Sequence, residues 1–448
     1  MKPTGILFFP AFDWAISPTH PEREERLLYT RDQIFEEGIM DLPQVQEYQP
    51  GIASLRDIAR VHFCVPDIPS RITEAHLISA GSSIRLADAL MNGEIRNAFS
   101  IVRPPGHHSM TVVHGNRGFC NINNEAILVE YLRHKYGLKR IAIVDTDVHH
   151  GDGTQEIFYH DPDVLFISFH QDGRTLYPGT GFPDELGGPL AYGSTLNIPL
   201  RPRTTDEGIL YVLENLVMPI LEEFKPELVI NSAGQDNHYT DPLADMQFTA
   251  QGYARLNARL APDIAVLEGG YSVETALPYV NMGIIMAMAG IDFSQLREPD
   301  YSPGNFRESR ANLEYLQGLV KRQLQVFRSR EEVVAENRSK LEGFHSYYNQ
   351  VFYDTDYIHE EQRVNLRICP SCCGYRTIDS EAQHHDRNYY RVLCVSVPAS
   401  ACEQCQQEAQ AVYQDARENT HYDVVYLQNR IADEYRMANR LKETEQCI

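Results

Sequence analysis

Three things are scarce in these 448 residues, and each scarcity removes a class of explanation. No run approaches the roughly 20 consecutive apolar residues of a membrane-spanning helix, so no membrane partner is expected. The apolar start, MKPTGILFFPAFDW, is broken by Pro10 and Asp13. It reads as a first strand and not as the core of a secretory signal. A cytoplasmic location is expected, with the nucleus as the other option in a eukaryotic cell. Positive charge is also short, with 40 basic against 62 acidic side chains and a net charge of −22. Such a surface repels phosphate backbones, which argues against nucleic acid, and it steers cationic peptides or polyamines inward. Cysteines number nine, an odd count, and four of them form two CxxC pairs. That usage fits a reducing compartment and a metal site, not a disulfide framework. Internal repeats and low-complexity tracts are absent.

What is present points to more than one domain, since 448 residues exceed an ordinary single core. Up to about residue 290, β-branched runs alternate with helical patterns: NAFSIV, KRIAIVD, DVLFISF, STLNI, ELVINS and DIAVLE. This rhythm predicts an α/β fold, a central parallel sheet between two helical layers. Ile209, Leu213, Leu216, Val217, Ile220, Leu221 and Phe224 recur at helical spacing and predict an amphipathic crossover helix. Each strand runs into polar residues: RPPGHH, TDVHHGDG, AGQDNHYTDPL and GGY. In a parallel sheet the carboxyl ends share one edge, so these four segments should converge.

The converging residues suit metal-assisted hydrolysis. Asp147 and His149 stand two apart just past a strand, so their side chains leave on the same side. With Asp241 they would make three protein ligands and leave a position open for water, the pattern of catalytic zinc. Carboxylate-rich ligation also tolerates iron, cobalt or manganese. His107 and His108 follow a neighbouring strand and can line a pocket floor, each oriented by a carboxylate, for which Asp145 and Asp152 are spare. A histidine held by an aspartate can act as acid or base near neutrality. Tyr271, after two glycines, could donate its hydroxyl to an oxyanion.

RPPGHH, GFCNINN (118–124), VDTDVHHGDG, SAGQDNHYTDPL and LEGGY, in this order, together with THPEREERL (19–27), resemble the histone deacetylase superfamily, which includes acetylpolyamine amidohydrolases. The resemblance spans roughly residues 1 to 290 and implies an arginase-like three-layer fold. It implies that Asp147, His149 and Asp241 ligate the catalytic zinc, with Fe2+ as the alternative metal. His107 paired with Asp145 would be the electrostatic histidine, His108 paired with Asp152 the general base, and Tyr271 the group that polarises the acyl carbonyl. Phe119 and Tyr177 would wall the acyl-lysine tunnel, Gly270 would contact the substrate, and Arg26 would lie in a cavity below the metal. The resemblance also implies K+ beside the zinc, held by Asp145, Asp147, His149, Ser168 and Phe169. A second K+ would sit on the backbones of Phe158, Asp161 and Val164. His150 is expected to be a buried hydrogen-bonding residue, Cys120 to be core, and His114, His160 and His170 have no matching role.

Two departures stand out. His238, Tyr239 and Thr240 replace small residues and are expected to reshape the pocket rim. Leu243 occupies the place where polyamine-specific members can carry a glutamate, which tilts the substrate toward acyl-lysine in a protein or peptide, with an acetylated polyamine as the alternative. A binuclear manganese ureohydrolase is disfavoured because Gly151 stands where its next ligand would be. A non-catalytic scaffold is disfavoured because the histidines, ligands and tyrosine are all present.

Beyond the first 292 residues the composition changes. REPDYSPGNFRES reads as a linker; Leu313, Leu316, Val320, Leu324 and Phe327 mark a helix. Residues 293–362 thus read as linker and helical segment, and 363–448 as a zinc ribbon followed by a C-terminal helix carrying Val424, Leu427, Ile431, Tyr435 and Ala438. Cys369, Cys372, Cys402 and Cys405 are the expected structural zinc ligands, with Cys373, His384 and Cys394 as alternatives. The ribbon would staple a small domain lacking its own core. Its flanking helices are candidates for a homo-oligomer contact.

Overall fold

The computed structural model describes residues 2–299, 301–302, 306–385 and 388–448. Part of the expected linker, residues 300 and 303–305, lies outside the described residues. An eight-stranded sheet forms the centre, in the order Val45–Tyr48, Thr4–Phe9, Asn97–Val102, Ile264–Leu267, Leu228–Ala233, Ile141–Asp145, Val164–Gln171, Thr195–Leu200. All its pairings are parallel. The six predicted runs and the first strand are all there; the edge strand Val45–Tyr48 was not anticipated. Alternate residues of each strand enter opposite cores. Phe99, Ala142, Val144, Leu165 and Ile167 pack on one face. Ala98, Ile141, Ile143, Val164 and Phe166 pack on the other. This period of two, with both faces buried, is why the strands read as continuous apolar runs.

The expected crossover helix is present as Asp206–Val212, Leu213–Val217 and Met218–Phe224, continuous except for a π-type turn at its centre. The GFCNINN segment has a structural job. Asn123 caps helix Asn124–Tyr136 by accepting from the Ala126 N–H at 2.8 Å. Asn124 donates to the Pro104 carbonyl at 3.1 Å, tying the helix start to the histidine-bearing loop.

The C-terminal half differs from expectation. The predicted helix is Arg310–Lys340, and its Leu316, Val320 and Phe327 sink into the same core as the central sheet. It therefore packs as a layer of the first unit and not as a spacer. The seven-stranded sheet that follows begins at Phe344, and the boundary drawn at 362/363 falls inside strand Ile358–Arg367. The expected C-terminal helix is instead the strands Val424–Asn429, Glu434–Asn439 and Thr444–Cys447. The first of these is buried on both faces, so its apolar run carried no visible alternation and matched a helical spacing by accident.

This module has cores of its own, so it is not a coreless ribbon stapled by metal. One lies under helix Glu403–Glu418. The other joins Val364, Val392 and Val424 to Phe63, Val65 and Val112 of the first unit. The seam also carries polar contacts: Arg376 meets Glu156 at 2.9 Å, and the Tyr426 hydroxyl donates to the Cys64 carbonyl at 2.6 Å.

Candidate active site

Asn97–Val102, Ile264–Leu267, Leu228–Ala233 and Ile141–Asp145 are the four central strands, and their carboxyl ends deliver residues 103–108, 268–271, 234–241 and 147–152 to one edge. Glycine makes the convergence possible. A Cβ on Gly234 would lie 2.0 Å from Asp147 Oδ2, one on Gly151 2.0 Å from Asp145 Oδ2, and one on Gly269 2.1 Å from Asp236 Oδ2. No larger residue fits where these loops cross.

Both histidines are held as expected. His107 Nδ1 lies 3.1 Å from Asp145 Oδ2, and His108 Nδ1 lies 2.7 Å from Asp152 Oδ1. Arg117 donates to the other oxygen of Asp152, Oδ2. With Nδ1 directed at Asp152, Nε2 is the His108 nitrogen left to act as a base. Burial, reinforced by His107, His149 and Arg117, holds His108 well below its ordinary value. His107 goes the other way: burial opposes its charge, but Asp147 and Asp145 outweigh that and raise it to about 10.

Two of the three expected metal ligands, Asp147 and His149, lie side by side. The tight donor group is Asp147, His149 and Asp236, whose ligand atoms lie within 4.8 Å of one another. His149 Nδ1 is 3.1 Å from both Asp147 Oδ1 and Asp236 Oδ2. Asp241 is not in this group; its Oδ2 accepts from the Tyr271 N–H at 2.7 Å and its Oδ1 from the Leu243 N–H at 2.9 Å, and each oxygen keeps a second lone pair. Asp236 was not among the ligands expected from the sequence, although its place five before Asp241 in the same loop was the available signal.

The charge balance tests whether a cation fits. Asp147, Asp236 and Asp241 are all buried. Burial, then the charge of Asp236, pushes the Asp241 carboxyl up to about 7. Burial disfavours the charged His149 ring, yet Asp147 and Asp236 raise it to about 10. A cluster that must bind protons to balance its charge suits a divalent cation.

Above these groups lies a cavity of about 290 Å³, lined among others by His107, His108, His149, Phe119, Tyr177, Leu243 and Tyr271. The rings of Phe119 and Tyr271 meet edge to face at 5.6 Å, and Tyr177 faces His108 at 5.2 Å. Arg26 sits below, fully buried. It donates to the Gly270 carbonyl at 2.8 Å, pairs with Glu22 at 2.7 Å, and lies 4.9 Å from the Tyr271 ring centroid. Asp145 and Ser168 are register partners on adjacent strands.

A model of the histone deacetylase domain matches residues 66–284. A probable deacetylase of Archaeoglobus fulgidus is 47% identical over 325 residues, covering 66% of this chain and 89% of its own length. The chain belongs to the histone deacetylase family. A histone deacetylase-like amidohydrolase of Pseudomonas aeruginosa is 35% identical over 251 residues, with 52% of this chain and 65% of its own covered. The crystal structure of the HDA15 HD domain superposes with a TM-score of 0.63 at 27% identity, over 76% of this chain and 99% of that one. Family membership makes the chain a deacetylase, with the large parallel sheet of that fold.

The remaining residues of this deacetylase divide clearly. His150 is a buried hydrogen-bonding residue, 2.8 Å from Thr180 Oγ1 and 3.0 Å from Gln155 Oε1, and Cys120 is buried. His170 bonds Ser168 Oγ at 2.8 Å. His114 and His160 face the C-terminal module: His114 meets His384 at 2.8 Å, and His160 meets the Tyr347 hydroxyl at 2.8 Å. The expected rim effect of His238 and Thr240 is not seen. His238 turns inward to Glu298 at 3.2 Å, and Thr240 Oγ1 bonds Ser272 Oγ at 2.8 Å, bracing the loop behind Tyr271.

The four knuckle cysteines come together. Cys369 Sγ is 3.8 Å from Cys402 Sγ, and Cys372 Sγ is 3.6 Å from Cys405 Sγ. Thiolates at the usual Zn–S distance on a tetrahedral ion lie about 3.8 Å apart. None of the three alternatives joins this group: Cys373 stands outside it, Cys394 is in the other core of the module, and His384 bonds His114.

Proposed function

We propose that this deacetylase is a zinc-dependent amidohydrolase acting on acyl-lysine, acetyl-lysine first, in proteins or peptides. The observation that carries this reading is the His108 imidazole, its Nδ1 held 2.7 Å from Asp152 Oδ1, facing the same cavity as a buried carboxylate–imidazole cluster and the Tyr271 ring.

Asp147, His149 and Asp241 would hold the ion, zinc before iron, with Asp236 orienting His149. When bound, it supplies a Lewis acid that polarises the acyl carbonyl and acidifies water. His108 Nε2 takes the proton of the attacking water, while Asp152 stabilises the imidazolium that forms. Tyr271 donates its hydroxyl proton in a hydrogen bond to the developing oxyanion. Its own acidity is suppressed by burial, so it stays a donor. His108 then passes its proton to the departing amine. His107, with Asp145, would add positive charge under the developing negative charge. Phe119 and Tyr177 would line the lysine methylenes, and Gly270 and Arg26 would shape the chamber below.

Leu243 on the cavity wall supports acyl-lysine over a substrate with a remote ammonium. A potassium ion between Asp145 and Ser168, on the backbones of Asp147, His149 and Phe169, and another at Phe158, Asp161 and Val164, are part of the same reading, as is structural zinc at Cys369, Cys372, Cys402 and Cys405.

The test is release of acyl groups by the zinc-restored protein from a panel of acyl-lysine peptides and acetylpolyamines. Release from the peptides that is abolished in His108→Ala is the expected result. Release only from polyamines overturns the substrate class, and an active His108→Ala enzyme overturns the base.

A further inference from the structure

The turn between strands Phe344–Tyr353 and Ile358–Arg367 belongs to the C-terminal sheet, yet it reaches the catalytic cavity, whose lining includes Asp354. Asp354 lies outside the residues matched to the family domain. Its Oδ1 accepts two hydrogen bonds, from the Gly118 N–H at 2.9 Å and from the Tyr177 hydroxyl at 3.1 Å. The turn is fixed on either side. Asp356 Oδ2 accepts from the Asn116 N–H at 2.6 Å, and Thr355 Oγ1 donates to Asn116 Oδ1 at 2.7 Å. The Tyr353 hydroxyl lies 2.8 Å from the Val112 carbonyl oxygen.

What the turn grips is strained. Gly118 has φ +52° and Phe119 φ +70°, two consecutive residues in the left-handed region. A side chain as large as phenylalanine stays there only when its surroundings over-determine it. The Gly118 peptide also lies flat on the base, since a Cβ there would be 2.3 Å from His108 Cδ2. The second contact leads to the same histidine. Tyr177 accepts from Arg117, and Arg117 donates to Asp152, the partner of His108.

We propose that Asp354 is a positioning residue of the active site, through which the C-terminal sheet holds the Gly118–Phe119 wall and Tyr177 against His108. The module is then a working part of the pocket and not an appendage. The kinetic part of this inference rests on the deacylase reading; the contacts do not.

The experiment uses the full-length, zinc-restored chain with Asp354→Ala, Asp354→Asn and Tyr177→Phe. Amide hydrogen exchange across residues 116–119 is measured alongside steady-state kinetics on an acetyl-lysine peptide. In Asp354→Ala, exchange at Gly118 and KM should each rise about tenfold, with a smaller fall in kcat, as expected when the shared acceptor of the Gly118 N–H and the Tyr177 hydroxyl is lost. Asparagine keeps the acceptor oxygen and should restore both. Tyr177→Phe leaves the turn and its bond to the Gly118 N–H intact and should raise KM about threefold with Gly118 exchange unchanged, because only one of the two bonds to Asp354 is lost. Unchanged Gly118 exchange in Asp354→Ala overturns the proposal. So does an asparagine variant as impaired as alanine, which would make charge, not the acceptor, the operative property. A wild-type protein that releases no acyl group sinks only the deacylase reading, because the exchange result stands without it.

Discussion

At the scale of single residues, the site works by sorting charge. Two adjacent histidines are driven in opposite directions, His107 up by Asp147 and Asp145 and His108 down by burial and cationic neighbours. One is thereby suited to stabilise negative charge and the other to collect a proton. Tyr271 is the donor that completes the set, and its buried phenol remains protonated. Tyr271→Phe keeps the ring packing on Phe119 and removes only the hydroxyl. It should lower kcat by about 10²–10³-fold with little change in KM, the loss expected for one oxyanion donor. Steady-state kinetics on an acetyl-lysine peptide checks this; a larger effect on KM than on kcat would argue against the assigned role. The pairing of His107 with Asp145 and of His108 with Asp152 was legible in sequence only through the resemblance to the family, since the residues alone left the two aspartates unassigned. The part played by Asp236 was not, because its contact with His149 depends on how two loops cross at Gly234 and Gly269.

Among the elements, strands of the central sheet were readable and those of the C-terminal sheet largely were not. NAFSIV became strand Asn97–Val102 residue for residue. Its neighbours are buried on both faces, so most positions are apolar and the signal is strong. Glu434–Asn439 alternates buried and half-buried positions over only six residues, too short to outweigh a chance helical spacing. The knuckles were readable as a metal site but not as architecture. Cys369 and Cys372 lie in the connection between two strands, and Cys402 and Cys405 at the start of helix Glu403–Glu418, so an ion there would pin the hairpin to the helix. Cys369→Ser should lower bound zinc by one per chain, measured by metal analysis. It should also lower the melting temperature of the module while leaving the catalytic ligands loaded. Retention of both zinc equivalents would show that the cluster holds none.

Over the whole molecule, the two units share a buried polar seam. Glu360 is fully buried there; it accepts from Ser380 Oγ at 2.6 Å and Gln362 Nε2 at 2.9 Å, and its Oε2 lies 2.7 Å from the Tyr353 hydroxyl. Burial lifts its carboxyl from 4.5 to about 7, the hydrogen bonds only partly opposing this. A folded-state value above the unfolded one means the folded protein holds the extra proton. The stabilisation is complete below about pH 4.5 and is lost as pH rises through about 7. The shift corresponds to on the order of 3 kcal/mol. Relative to Glu360→Gln, the wild-type protein should therefore lose melting temperature as pH increases across that window. Parallel melting curves for the two proteins would refute the buried-acid assignment. The pressure of buried acids recurs at Glu125 and Glu268, both raised by burial, so the interior shares the acidic bias of the surface.

The sequence by itself determined the central sheet, the convergence of four polar segments on its carboxyl edge, the histidine pair with its two aspartates, and the four-cysteine cluster. The sheet, the convergence and the cysteine cluster follow from local periodicity and spacing, which short-range chemistry writes directly into the chain; the pairing of each histidine with its aspartate came from the family resemblance. Tertiary structure alone decided that Asp236 approaches His149, that the tail is strand, and that Asp354 meets the Gly118 N–H, 236 positions earlier, at the pocket. A carboxylate gains such a role only from the backbone N–H it meets, and that partner is set by the packing of two sheets.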